Sequence, residues 1–231
     1  MRLHELEALR DRTRVFRDRS HAGHVLAETL IAEGAPGARV LAIPAGGLPV
    51  AAPVARLLGL PLDVAVVSKI TLPWNTEVGY GAVAFDGTVR LNERLLAGLG
   101  MSDEEVRGGI EETTVKVRRR ARALRGSDEP PSVADCEVLL VDDGLASGFT
   151  MLTAAEALLG AGARSVVVAV PTGSPRALDS LRGVVQTVFC VNVRGGSSFA
   201  VADAYEHWSD VTEGEALEVL RSARAESKRS A

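Results

Sequence analysis

The repeated alternation of short apolar runs with helical patterns most constrains the fold of this 231-residue chain. Such alternation is typical of βαβ units around a parallel sheet. The apolar runs are nearly continuous and rich in β-branched residues, which indicates strands that are covered on both faces. Strands are predicted at residues 39–43, 62–68, 137–143, 165–170 and 184–191. We therefore expect an α/β fold with a mostly parallel central sheet flanked by helices.

Residues 70–126 interrupt this alternation. Residues 80–93 are expected to form a hairpin, with an Asp-Gly pair as its tight turn. A long helix is then predicted to begin at Ser102, because Glu105 three residues later completes a capping box. Its acidic first turn and basic last turns complement the helix dipole, and Gly126 is expected to end it. We interpret the segment as an insertion packed on the α/β body.

Charge and composition exclude several classes of protein. With 26 basic and 30 acidic side chains, the net charge of −4 gives no overall attraction to nucleic acid or to an anionic membrane. The basic run at residues 116–125 could suit RNA, but a solvated helix end explains it equally and no stacking aromatics lie nearby. The four histidines form no ligand pattern, and Cys136 and Cys190 are expected to be small buried thiols. We find neither a signal peptide nor a membrane span, so a cytoplasmic location is expected.

Residues 138–150, VLLVDDGLASGFT, carry the main candidate site. Asp142 and Asp143 lie at the carboxyl end of the predicted strand 137–143, where open α/β sheets bind ligands. The small-residue turn that follows would expose backbone N–H groups at a helix N-terminus, which suits a phosphate. Carboxylates here can accept hydrogen bonds from sugar hydroxyls or help to hold hydrated Mg²⁺, although they could also merely cap the turn. The candidate phosphate-binding residues are Ala146, Ser147, Gly148, Phe149 and Thr150.

This motif closely resembles the phosphoribosyl pyrophosphate (PRPP) binding motif of type I phosphoribosyltransferases. The resemblance implies a type I phosphoribosyltransferase-like fold that spans residues 1–231 as one domain. It also implies a small hood built from the chain ends, at about residues 1–20 and 192–231. In the family the turn holds the 5′-phosphate and the acidic pair holds the ribose 2′- and 3′-hydroxyls, roles that fall here to residues 146–150 and to Asp142 and Asp143.

Further stretches resemble a poorly characterised bacterial and archaeal subgroup of this family, among them FRDRSHAGHVLAETL and FAVADAYEHW. The stretch AIPAGGLPVA is similar to the family's pyrophosphate loop, which would place Ala45, Gly46 and Gly47 at the pyrophosphate, with Lys69 assisting from the second strand. A plain strand-to-helix turn is the alternative for the two glycines. The subgroup pattern has an arginine at the position of Ala45, and its loss would remove a contact worth roughly 1.5–3 kcal/mol.

The resemblance implies a Mg²⁺-dependent transfer of 5-phosphoribosyl from PRPP to a small nitrogenous acceptor, with release of pyrophosphate. Residues 71–84 are the candidate cover over the site. Phe199, Tyr205 and Trp208 could stack on a flat acceptor, although aromatics at this spacing also suit a core. The rival hypothesis is a PRPP- or nucleotide-binding regulator without transfer activity, and a sugar-phosphate hydrolase lacks an evident nucleophile. Nucleic acid and membrane are not expected as partners, and a homodimer is left open.

Overall fold

The computed structural model describes residues 1–35, 37–196 and 198–230, and two sheets organise them. The strands are β1 (Arg2–His4), β2 (Arg39–Ala42), β3 (Leu62–Val64), β4 (Val67–Leu72), β5 (Asn75–Ala84), β6 (Val89–Leu91), β7 (Glu137–Val141), β8 (Ser165–Gly173) and β9 (Thr187–Val193). Six of them form a parallel sheet in the order β1-β9-β8-β7-β2-β3. The other three form an antiparallel sheet in the order β4-β5-β6.

Helices pack against both sheets. They are α1 (Arg19–Ala32), α2 (Gly47–Leu58), α3 (Glu93–Leu99), α4 (Asp103–Arg125), α5 (Phe149–Gly160), α6 (Pro175–Ser180) and α7 (Glu213–Ser230). Of these, α3 and α4 pack mainly against the antiparallel sheet. The backbones of α1 and α2 approach closely at Gly23, where an added Cβ would lie 2.3 Å from the Val50 carbonyl oxygen. Nearly all residues of β7 and β8 are buried, which explains their continuous apolar runs. Among the described residues, none of the helices is both long and apolar enough to cross a membrane.

The prediction of one strand over residues 62–68 was wrong. Residues Leu62–Val64 pair with β2, and the Ala65 amide still donates to Ala42 at 2.9 Å. The chain then leaves the parallel sheet, and Val67 begins β4 in the antiparallel sheet. Most residues across the break are buried, so an unbroken apolar run gave no sign of the change.

The local predictions for the interrupting segment were confirmed. The Gly87 amide donates to the Ala84 carbonyl in the turn between β5 and β6, and Gly87 has a φ of 92°. Ser102 and Glu105 form the reciprocal bonds of the capping box at the start of α4. The helix ends at Gly126, whose φ of 78° suits glycine.

The basic end of α4 is largely engaged by carboxylates of this chain. The Nε atom of Arg120 lies 3.0 Å from Glu213 on α7. Arg125 lies 3.3 Å from Asp63 on β3, and the same carboxylate binds Arg224 on α7 at 2.7 Å. These arginines therefore join α4, β3 and α7.

The segment before α1 lies beside β9 and the residues that follow it. β1 extends the parallel sheet beside β9, and an isolated parallel bridge joins Phe16 to Tyr205. The Glu206 amide donates to Phe16 at 2.8 Å, and the His207 amide donates to the Arg17 carbonyl at 2.9 Å. The residues just before α1 are thus fastened to a segment near the C-terminus.

Candidate active site

The site lies where two neighbouring parallel strands end. β2 pairs with β7 so that Ala42 lies opposite Val141, and the Ile43 amide extends the pairing by donating to Val141 at 2.8 Å. The loops that follow these strands therefore leave the same edge of the sheet together. One loop carries the Ala-Gly-Gly stretch, and the other carries the two aspartates.

The two glycines lie directly against the two aspartates. A Cβ added to Gly46 would lie 2.1 Å from Oδ2 of Asp143, and one added to Gly47 would lie 3.2 Å from Oδ1 of Asp142. Both positions therefore require the absence of a side chain, which explains the glycine pair better than a plain turn does. This contact brings the predicted pyrophosphate loop against the predicted ribose-binding pair.

Asp143 is held from three directions. Its carboxylate oxygen Oδ2 accepts a hydrogen bond of 2.8 Å from Nε of Arg19. Its carbonyl oxygen accepts one of 2.6 Å from the hydroxyl of Tyr205, and its amide donates to Oδ1 of Asp142 at 2.9 Å. Arg19 thus fixes the carboxylate and Tyr205 the backbone of Asp143, and both lie far from it in the sequence.

Burial raises the pKa of Asp142 well above its ordinary value, and the neighbouring carboxylate of Asp143 raises it further. Burial likewise raises the pKa of Asp143, while the charge and hydrogen bond of Arg19 oppose the rise. Lys69, an exposed residue of β4, also lowers the pKa values of both aspartates. Two adjacent desolvated carboxylates are costly, so the arrangement favours a ligand that supplies hydroxyl donors or cations.

The turn after the aspartates has the features of an anion site. Gly148 precedes α5 with a φ of 81°, and no side chain caps this helix N-terminus. Because the first N–H groups of a helix lack partners within it, they are available to an anion. Ala146 and Ser147 are exposed, whereas Phe149 and Thr150 are partly buried. Ser174, which follows β8, holds this turn through its hydroxyl, which donates to the Ala146 carbonyl at 3.1 Å.

The loop before α2 leaves its two glycine amides in different situations. The peptide bond between Pro44 and Ala45 is cis. The Gly47 amide donates to the Ile43 carbonyl at 3.1 Å, so it is already used within the turn. Gly46 is therefore the better candidate of the two glycines for binding pyrophosphate through its amide.

The predicted aromatic residues have different surroundings. Phe199 is partly buried, with the guanidinium of Arg194 positioned 4.7 Å from its ring centroid. Tyr205 is buried and bonded to Asp143, in keeping with the core alternative for this residue. Trp208 is 38% exposed, and the guanidinium of Arg19 lies 3.7 Å from its ring centroid.

Arg19 is the site residue that the sequence did not reveal as such. It lies 124 positions from Asp143, and no local pattern connects the two. The only signal was its place within the FRDRS stretch, which was noted for its resemblance to the subgroup.

The candidate cover, residues 71–84, consists largely of the β4–β5 hairpin, with register shifts near its end. Trp74 at the tip is 61% exposed, whereas Tyr80 is buried, and the OH of Tyr80 would lie 2.0 Å from a Cβ added to Gly109 on α4. The hairpin is thus fastened to α4 at Tyr80, while Trp74 is exposed at its tip.

The oxygen donors of the site suit a metal that arrives with a ligand. In the part of the chain that the structure describes, there is no cluster of three or more His, Cys, Asp or Glu side chains that could hold a metal ion. His21 and His24 belong to α1. The Asp18 side chain caps this helix by accepting a hydrogen bond from the backbone amide of His21, and His24 lies 3.0 Å from a guanidinium nitrogen of Arg56. Two carboxylates fit Mg²⁺ only if most of its oxygen ligands come from elsewhere.

Comparison with known proteins agrees with this geometry. The family model described as "Phosphoribosyl transferase domain" matches residues 26–204. Two curated Mycobacterium tuberculosis proteins, "Putative phosphoribosyl transferase MT0597" and "Putative phosphoribosyl transferase Rv0571c", are each 33% identical to the chain over 208 residues, or 90% of it. The chain spans about half the length of these relatives, 46% of each. The crystal structure of TT1426 from Thermus thermophilus is 35% identical with a TM-score of 0.70, covering 89% of this chain and 97% of that one.

Proposed function

The chain belongs to the phosphoribosyl transferase domain family, and we propose that it transfers the 5-phosphoribosyl group of PRPP to a small nitrogenous acceptor. The contact between Gly46 and Asp143 carries this proposal, because it brings a loop suited to pyrophosphate against carboxylates suited to ribose hydroxyls. The uncapped N-terminus of α5 follows the same carboxylates and offers a place for the 5′-phosphate.

Each part of PRPP has a candidate binding group at this edge of the sheet. The 5′-phosphate would bind to the turn of residues 146–150, and the ribose hydroxyls would donate to Asp142 and Asp143. Hydroxyl donors would offset the desolvation that raises the pKa of both carboxyl groups. The pyrophosphate would lie near Gly46, with Lys69 as the nearby cation.

The reaction then needs positioning and charge stabilisation more than a protein nucleophile. The bond between C1 and the pyrophosphate oxygen breaks, and its electron pair leaves with pyrophosphate. The acceptor nitrogen forms the new bond to C1 and releases a proton. Positive charge that develops on the ribose ring would be stabilised by the adjacent carboxylates, and Lys69 would stabilise negative charge on the leaving group.

Magnesium would accompany the substrate, since the protein's own donors are few. Asp142 and Asp143 are the residues that would face it, and it would supply charge neutralisation of the leaving pyrophosphate. We place the reaction in the cytoplasm, in keeping with two cysteines that are both free thiols.

Calorimetry with PRPP and Mg²⁺ tests the donor half of the proposal. We expect binding by the wild-type protein and a loss of at least roughly tenfold in affinity for Asp143→Asn, because an amide is a weaker acceptor than a carboxylate. Asp179→Asn is the matched control, since that carboxylate is exposed and pairs with Arg182 three residues away. Equal affinity in wild type and Asp143→Asn would remove the ribose role of Asp143.

Release of pyrophosphate from PRPP in the presence of single purines, pyrimidines and small amines tests the transfer itself. We expect release with at least one acceptor and none with Asp143→Asn. Tight Mg²⁺-dependent PRPP binding without release for any acceptor would favour the regulatory alternative.

The substitution Ala45→Arg tests whether the pyrophosphate of PRPP binds at the loop of residues 45–47. Restoring the guanidinium of the subgroup pattern should tighten PRPP binding by roughly tenfold, as one charge-assisted contact would. Ribose 5-phosphate, which lacks the pyrophosphate, should bind both proteins equally. An unchanged PRPP affinity would contradict the placement of pyrophosphate at this loop.

A further inference from the structure

We propose that Arg19 is a positioning residue that orients Asp143 toward ribose and couples it to the C-terminal segment around Trp208. The inference rests on the proposed function, because it concerns how the same carboxylate meets its ligand. It assigns a role to the chain ends that is separate from any contact they make with an acceptor.

The location of Arg19 is unfavourable unless its contacts compensate. It is the first residue of α1, where the helix dipole disfavours a cation, and it is only 8% exposed. Three specific contacts offset these costs: Nε donates to Asp143 at 2.8 Å, a terminal nitrogen donates to the Ser209 carbonyl at 2.8 Å, and the planar face covers Trp208 at 3.7 Å. Nε, one terminal nitrogen and the planar face of the guanidinium are thus all engaged.

The attachment of α1 to the rest of the fold does not depend on this residue. The helix packs on α2, β8 and β9, and its residues Ala22, Leu26 and Leu30 are fully buried. The Gly23 contact with Val50 fixes the same interface. A change at Arg19 is therefore expected to affect Asp143 and Trp208 more than the helix that carries them.

The hydrogen bond from Arg19 determines which oxygen of Asp143 a ribose can use. Arg19 occupies Oδ2, which also faces Gly46, so Oδ1 is the oxygen that remains for a hydroxyl. A carboxylate held in one orientation binds a hydroxyl without first losing rotational freedom. Lysine cannot replace this arrangement, because it lacks both the planar face and the forked donors.

The same guanidinium ties the C-terminal segment to the donor site. Tyr205 bonds to the Asp143 carbonyl, Trp208 packs under Arg19, and Ser209 accepts from it. Any ligand that alters the Arg19–Asp143 pair therefore also acts on the ring of Trp208. By linkage, a change at Trp208 must in turn affect how ribose binds at Asp143.

Two phosphate ligands distinguish this role from a general structural one. Ribose 5-phosphate carries the ring hydroxyls, whereas the phosphate ester of tetrahydrofurfuryl alcohol keeps the ring and the phosphate but has no ring hydroxyl. In calorimetry, Arg19→Lys should lower the affinity for ribose 5-phosphate roughly tenfold. The affinity for the hydroxyl-free ester should change less than about twofold. Trp208→Leu should act in the same direction, more weakly. Arg17→Lys is the matched control, because Arg17 is exposed and lies two residues away.

Fluorescence provides the second readout. The chain has two tryptophans, so a Trp74→Phe background leaves Trp208 as the single emitter. Ribose 5-phosphate should change its emission with the same dissociation constant that calorimetry gives, and Arg19→Lys should abolish the change. An emission that does not respond to the ligand would overturn the coupling to Trp208.

The outcomes separate the two proposals. If the wild-type protein binds neither ligand, the proposed function fails and this inference fails with it. If the wild-type protein prefers ribose 5-phosphate and Arg19→Lys keeps the full preference, only the inference fails. A folded Arg19→Lys protein that loses both ligands equally would also overturn it, because the loss would then be structural.

Discussion

Replacing Asp142 with asparagine should make the protein more stable while impairing its site. Asp142 Oδ1 accepts the amide of Asp143 at 2.9 Å, and an asparagine oxygen can accept the same bond. The substitution therefore removes a charge but keeps the local geometry. What it relieves is the desolvation of that charge and its repulsion by Asp143, the two causes that raise the pKa of Asp142.

The free energy of unfolding should increase by about 1–2 kcal/mol at neutral pH, a usual range for removing one unfavourable interaction. For a chain of this length, each kcal/mol corresponds to about 2–4 °C in Tm, so we expect an increase of about 2–8 °C. PRPP binding should be weakened in the same protein. Stability and ligand affinity would thus move in opposite directions.

The increase in free energy of unfolding must also depend on pH. The raised pKa of Asp142 determines whether it grows or shrinks as pH rises. Between the ordinary aspartate pKa and the raised value, folded wild type holds a proton that the unfolded chain has released, so its free energy of unfolding falls as pH rises through this window. Asp142→Asn lacks this group. The difference in free energy of unfolding between Asp142→Asn and wild type should therefore be near zero below this pH range. Above it, the difference should reach its full value.

Thermal and urea unfolding of both proteins, at about pH 5 and about pH 8, measure this difference. Asp179→Asn serves as the control and should stay within about 0.5 kcal/mol of wild type, because its side chain is 64% exposed. An Asp142→Asn protein that is less stable than wild type at the higher pH would refute the reasoning. So would an advantage that is equal at both pH values.

Three further substitutions examine other parts of the structure, together with one matched control. Gly46→Ala should lower PRPP affinity at least roughly tenfold in calorimetry, because its Cβ would lie 2.1 Å from Asp143 Oδ2. Its control, Gly108→Ala, where a Cβ meets no atom within 4 Å, should instead stabilise α4 by up to about 1 kcal/mol in urea unfolding. Ser102→Ala should cost about 1 kcal/mol in the same assay through loss of the capping box. Asp63→Asn should cost about 1–3 kcal/mol, because it weakens the contacts of two arginines on α4 and α7.

Features that depend on residues close together in the sequence were predicted correctly. The capping box at Ser102 and the turn at Gly87 depend on neighbours within a few residues, and both formed as expected. The parallel sheet was also predictable, because burial on both faces leaves a continuous apolar run. The position of Asp142 and Asp143 after β7 followed from the same signal.

Features that depend on contacts across the chain were not predicted. Arg19 meets Asp143 only after α1 has packed beside the sheet, and the spacing between them carries no periodic signal. Either stacking on an acceptor or a core position was open for Tyr205, but no sequence pattern indicated that its hydroxyl donates to the Asp143 carbonyl. β1 escaped prediction because three residues, two of them exposed, are too short for a pattern.

That short first strand has a consequence for the behaviour of the protein in concentrated solution. β1 forms one edge of the parallel sheet and offers only three residues to any additional strand. Long exposed edges are templates for sheet extension between molecules, and short ones suppress it. Fibrils grown through this edge should therefore be disfavoured, and two copies of the protein would have to associate through another surface.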